Sequence, residues 1–159
     1  MRKTLLAVST AAMTTLLIGS IVGPAAAAEI DSPATPNVYE ILAANPGGTI
    51  IDDHTISWEN GTVVLTLEGG PNARAVGSCA TGAFCAYNSP GLTGSKLTFT
   101  SCDTTQSTAS LGAVRSIANA RSGGSVYGQS SSNANLVTVA ANSSSSPAPT
   151  GVVKLRCVS

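Results

Sequence analysis

Few side chains of this 159-residue sequence could do covalent, metal or acid–base chemistry. They are Cys79, Cys85, Cys102 and Cys157, and the cluster Asp52-Asp53-His54. Cys79 and Cys85 stand with five residues between them in GSCATGAFCAYN, whereas a redox dithiol needs two. A metal centre needs more ligands than remain, because His54 is the only histidine and Asp103 the only carboxylate after Glu68. Structural disulfides are left, and four cysteines allow three pairings. Asp53 and His54 could form an acid–base pair, but neighbours on a strand point to opposite faces and nothing resembles a nucleophile elbow. The pair reads as a polar turn or strand edge beside Trp58. There is no Gly-rich phosphate cradle and no zinc-type histidine pair. The sequence therefore predicts no metal, no cofactor and no enzyme; catalysis through His54 is the weakest function class.

Disulfides require an oxidising compartment, and the N-terminus supplies the route. Met1-Arg2-Lys3 precedes the apolar run TLLAVSTAAMTTLLIGSIVG, and PAAAA places Ala26 and Ala28 in the small-residue pattern of a cleavage site. Residues 1–28 are predicted to be a signal peptide, with the mature chain beginning near Glu29, secreted and with no membrane attachment after cleavage. The run is too diluted by Ser, Thr and Gly for a membrane anchor.

Charge is unevenly placed. Seven of the eight acids precede Arg74; from there on Arg74, Lys96, Arg115, Arg121, Lys154 and Arg156 face only Asp103. The acidic extension, residues 29–76, either packs on a mildly basic module, residues 77–159, or the two are separately solvated surfaces. The basic residues are scattered and not interleaved with aromatics, which argues against nucleic acid as a partner.

The elements that must position these residues are short. Asn37 to Ala44 fits one or two helical turns, stopped by Asn45-Pro46-Gly47-Gly48. TIIDDHTISW and TVVLTLE are strand-like around Glu59-Asn60-Gly61, a hairpin signal because Asn and Gly tolerate positive φ. AFCAYN, SKLTFTSC, VRSIANA, SVYGQS, NLVTVAA and VVKLRC are further β-type runs. TTQSTASLGAV reads as a helical turn or irregular crossover, and SSSNAN and NSSSSPAPTG as loops. The fold class is all-β, a sandwich or Greek-key barrel. Aromatics make up only 4% of the chain, so cross-links matter more than usual for holding it folded.

CATGAFCAYNSPGLTGSKLTF, followed by VRSIANA, resembles the secreted bacterial metalloproteinase inhibitors of peptidase inhibitor family 36, whose fold is like that of the βγ-crystallins. The matching positions are Cys79, Cys85, Tyr87, Gly94 and Ser116-Ile117-Ala118-Asn119, and the resemblance spans about residues 77 to 157. It implies a Greek-key sandwich in which Gly94 takes positive φ in a folded-over hairpin, Tyr87 lies across that hairpin and the Ser116 hydroxyl holds it. It implies pairing of Cys79 with Cys85 and of Cys102 with Cys157. Calcium sites of βγ-crystallins need paired Asp or Asn residues where Leu111 and Gly112 stand, so the oxygen ligands are missing.

The resemblance implies an extracellular protease as partner, met by a monomer through a loop in the second half of the module. Here that place is held by Ser130, Ser131, Ser132 and Asn133, without the cysteine pair that brackets it in the family. A Ser/Asn loop with no staple is a poor rigid loop, and rigidity is what gives an inhibitor its affinity. The other reading is a non-inhibitory extracellular module at the cell envelope, contacting glycan or protein. A short loop fixed by strands on both sides keeps inhibition open; a long mobile one favours the binding module.

Overall fold

The computed structural model describes residues 36–69 and 79–159; residues 1–28, expected to be a signal peptide, and the expected boundary between 76 and 77 lie outside the described residues. Asn37 starts helix α1 (Val38–Ala44). Its Oδ1 accepts from the Tyr39 and Glu40 amides at 3.0 Å each, and the Glu40 carboxylate accepts from the Asn37 amide at 3.3 Å. This reciprocal cap satisfies the donors that a helix start leaves open. At the other end the Asn45 side chain donates back to the Ile41 carbonyl. Val38 and Ile41, three apart, are the buried side of the helix.

The chain then turns β. Strands β1 (Thr49–Asp52) and β2 (Thr55–Trp58) pair antiparallel. TIIDDHTISW, a single strand-like run by its period, is thus two strands around a turn at Asp53-His54. Asp52 folds it by accepting from the His54 amide at 2.8 Å, the local bond by which Asp competes with a continuing strand. That bond holds the Asp52 carboxyl below the usual range. From β2 to β3 (Val63–Thr66) the chain passes Glu59, Asn60 and Gly61 at φ of 50°, 55° and 91°. This is the hairpin that Asn-Gly marked.

Eight more strands follow: β4 (Phe84–Ser89), β5 (Thr93–Phe99), β6 (Thr105–Ser107), β7 (Ser116–Asn119), β8 (Ser125–Gln129), β9 (Asn135–Ala140), β10 (Ser143–Ser145) and β11 (Lys154–Val158). They form two antiparallel sheets, β1-β2-β3-β5-β4-β7-β10 and β6-β11-β8-β9. The all-β sandwich is the class that the sequence indicates. The third strand of each four-strand set crosses over: β6 joins the sheet of β8, β9 and β11, and β10 joins the sheet of β4, β5 and β7. Two expectations change here. TTQSTASLGAV, read as a helical turn or irregular crossover, holds strand β6 and then a single 3-10 turn at Ala109–Leu111, and β10 lies in a stretch read as loop. Both β6 and β10 are polar three-residue strands whose pairing comes from β11 and β7, so composition could not mark them.

Between the sheets lie Ile56, Leu65, Phe84, Leu97, Phe99, Ile117, Val126 and Leu155, all closed to solvent. Phe84 and Phe99 sit opposite each other on β4 and β5 and stack at 5.1 Å with 16° between their planes. Such a pair adds about 1 kcal/mol to the burial itself, a useful share where aromatics are few. The acidic extension is joined to this core by strand and side-chain packing. β3 pairs with β5 along four residues, and Val38, Ile41, Ile56 and Leu65 enter the same apolar cluster. Side-chain hydrogen bonds across the join include Gln106 donating to Glu59 at 3.3 Å, the Thr100 hydroxyl donating to the Thr62 carbonyl at 3.4 Å and the Glu68 amide donating to the Ser95 hydroxyl at 3.1 Å. Among the described residues no helix is long and apolar enough to cross a membrane.

Candidate functional site

Two places collect the residues singled out in the sequence. The first is the hairpin between β4 and β5. Ser116, fully buried on β7, donates to the Ser89 carbonyl at 2.7 Å and accepts from the Leu92 amide at 3.0 Å. One hydroxyl thus closes both ends of the turn. Gly94 follows at φ 78°, where a Cβ would collide with Asn88 Oδ1 and come 2.7 Å from Ser89 Oγ. Only glycine combines that φ with that approach. Asn88 Oδ1 uses the freed space to accept from the Ser95 amide at 2.9 Å. The hairpin is further tied by the Gly91 amide donating to Ser146 at 2.6 Å.

Tyr87 lies on the opposite face of β4 from Phe84. It packs with Cys79, Cys85, Leu92 and Ala118 and is 1% exposed. Its hydroxyl is buried with no hydrogen-bond partner among the described residues. Burial pushes its pKa up to about 12. Cys79 pairs with Cys85 and closes this cluster; Cys102 pairs with Cys157 and joins the chain after β5 to β11. The C-terminus is latched nearby: Asp103 accepts from the Ser159 hydroxyl at 2.7 Å and the Ser159 amide at 3.2 Å, which lowers its pKa. These contacts tie the hairpin, the first disulfide and the end of β11 into the scaffold.

The second place is the connection Ser130–Ala134 between β8 and β9. It is five residues long and internally bonded. The Ser130 amide donates to the Ala134 carbonyl at 3.0 Å, Asn133 to the Ser130 carbonyl at 3.1 Å, and Ala134 to the Ser130 hydroxyl at 3.2 Å. Asn133 takes φ 64°, which Asn tolerates. Two outside side chains grip it. Lys154 donates to the Ser131 carbonyl at 3.2 Å and to Asn133 Oδ1 at 2.8 Å. Gln129 donates to Asn135 at 2.8 Å and to the Asn133 carbonyl at 3.4 Å. Lys154 stands opposite Gln129 in the β11–β8 register, so its stem runs from the strand to the loop.

Around this loop the surface is mixed. A cavity of about 500 Å³ is lined by Thr105, Ser107, Gln129, Asn133, Lys154 and Arg156. Leu136, two residues after the loop, and Val153, next to Lys154, are 39% and 42% exposed. Sequence reading had Ser130, Ser131, Ser132 and Asn133 but missed Lys154 and Gln129. In VVKLRC the alternation opposes Lys154 and Arg156 to Leu155 and Cys157, a signal that gives the face and not the loop it reaches.

His54 stands in the β1–β2 turn, its carbonyl accepting from the Leu67 amide at 2.7 Å. No group of three or more His, Cys, Asp or Glu among the described residues is placed to hold a metal. No curated protein and no solved structure matches the chain. The sequence model of Peptidase inhibitor family I36 matches residues 72–138, so the stretch that includes the folded hairpin, Cys79–Cys85 and the loop 130–134 is similar to that family.

Proposed function

We infer that this protein is exported, loses residues 1–28 and acts as a monomeric inhibitor of an extracellular proteinase, a metalloproteinase in the first instance. The loop Ser130–Ala134 enters the enzyme's cleft. The observation that carries this is the order of that loop. A peptidase cleaves a segment that adapts to its cleft and is blocked by one already held in a single shape, since no ordering entropy is then lost on binding. Here Lys154 and Gln129 supply from outside the hold that a bracketing disulfide would give. Leu136 and Val153 add apolar area beside the loop. The exchange of β6 and β10 between sheets supports reading the sandwich as two Greek keys of the βγ-crystallin kind.

The test is titration of purified mature protein against a thermolysin-type and a subtilisin-type protease. Stoichiometric, slowly reversible inhibition of the metalloenzyme is expected. No slowing of either enzyme at micromolar protein would remove the inhibitor reading in favour of the non-inhibitory binding module.

A further inference from the structure

A second cavity lies away from the loop, where the acidic extension meets the module. It measures about 490 Å³ and is walled by the α1–β1 turn (Asn45, Pro46, Gly47), by Trp58 and Glu59, and by Gln106, Ser107 and Ser110. That is the size of a small-molecule site. Trp58, the only tryptophan, is half-buried and fixed. Its Nε1 donates to the Asn45 carbonyl at 3.0 Å. Gly48 lies so close that a Cβ there would come 2.6 Å from Nε1 and 2.7 Å from Cε2. The indole is thus supported from one side and presents what remains to the cleft. Across from it Gln106 donates to Glu59 at 3.3 Å, and Glu59 also accepts from the Thr62 hydroxyl at 3.1 Å.

The lining selects the ligand. Among the described residues no Lys, Arg or His is in the wall to neutralise an anion. The one carboxylate already accepts two hydrogen bonds, which leaves little for a cation. The remaining groups are a rigid aromatic plate, a side-chain amide, two serine hydroxyls and exposed backbone. These match a ligand with a flat C–H face and a rim of hydroxyls or amides. We propose that this cleft binds a neutral saccharide, one ring lying on Trp58 and its hydroxyls or acetamido groups meeting Glu59, Gln106 and Ser110. The site is built only when the extension is docked, because Trp58 comes from β2 and Gln106 from β6.

The experiment uses the mature protein and the intrinsic emission of Trp58, titrated with triacetylchitotriose, cellotriose and maltotriose. Saturable quenching or a shift in emission with at least one of them is expected. Isothermal titration should give the same affinity, and Gln106→Ala and Trp58→Phe should weaken it about tenfold. Urea melts recorded on each variant show that it is folded. Two results would overturn the proposal. One is no saturable response, by emission or heat, to any of the three sugars at millimolar concentration. The other is binding that both variants leave unchanged, which would put the sugar elsewhere. Neither outcome bears on the proteinase titration, since the two sites share only Ser107.

Discussion

Replacing Lys154 by Met keeps an apolar stem along β11 and removes the ammonium that holds the loop. Two bonds disappear, one of 2.8 Å to Asn133 Oδ1 and a weaker one of 3.2 Å to the Ser131 carbonyl. A hydrogen bond from a charged donor contributes about 1.5–3 kcal/mol when sheltered. This one is exposed, and solvent screening brings the pair to about 1–2 kcal/mol in total. One decade in an equilibrium constant is about 1.4 kcal/mol, so the ordered loop becomes roughly tenfold less favoured. The inhibition constant should rise by about that factor, mainly through faster dissociation. The variant should also be cut between Ser130 and Ala134 by a peptidase that leaves the parent intact, as mass spectrometry of the fragments would show. Global melting should hardly move, because the loop carries no core side chain. Lys154→Arg should recover part of the hold. The reasoning is refuted if Lys154→Met resists cleavage as well as the parent does and the Asn133 and Ala134 amides exchange no faster, whatever the target enzyme.

The scaffold gives three more tests. Cys102–Cys157 closes a loop of 55 residues and Cys79–Cys85 one of 6. Loop-closure entropy puts them at about 4 and about 2 kcal/mol, so Cys102→Ser should lower the melting temperature more than Cys79→Ser; equal or reversed losses would contradict this. Tyr87 has a buried hydroxyl whose pKa, about 12, exceeds that of the unfolded chain. The unfolded state therefore gives up its proton first, and stability should be full below about pH 10 and fall as pH rises toward 12. Tyr87→Phe should remove that alkaline loss without lowering stability at neutral pH, and a clear drop at pH 7 would mean the hydroxyl is bonded. Gly94→Ala forces a side chain into Asn88 and into positive φ, and should cost more than 1 kcal/mol by urea denaturation; a silent change would show that the folded hairpin can relax.

The sequence marks the places where one residue type has one local use. Asn37 and Glu40 stand three apart and form the helix cap. Asn60-Gly61 makes the turn that its torsions allow, and six runs of β-type residues become β4, β5, β7, β8, β9 and β11. It is silent where structure is supplied by a neighbour. β6 and β10 are made of Thr, Gln and Ser and are strands only because β11 and β7 offer them a ladder. The Asp53-His54 turn is one of the two readings its polarity allows, turn or strand edge, and the period of two does not choose between them, since the Asx bond that folds it leaves the polarity pattern intact. The candidate sites follow the same division. The local marks at Tyr87, Gly94 and Ser116 are visible in the chain, whereas the grip of Lys154 on residue 133 spans 21 positions and the approach of Gln106 to Glu59 spans 47. No window of sequence holds both partners of either contact.

That division also says what the long disulfide does for the loop. Cys157 and Lys154 sit on one strand, β11, three residues apart, and β11 lies between β6 and β8. Cys102–Cys157 fixes the far end of that strand, and pairing with β8 carries the fixation to Lys154 opposite Gln129. The bridge that closes 55 residues therefore stabilises the loop through a strand and an ammonium, with no cysteine in the loop itself. A consequence separates this from global stability. At a temperature well below its own midpoint, Cys102→Ser should show faster cleavage between Ser130 and Ala134 and faster exchange at Asn133, while Cys79→Ser, whose bridge lies on the other sheet, should show neither. If both variants lose loop order only in proportion to their melting temperatures, β11 transmits nothing and Lys154 holds the loop unaided.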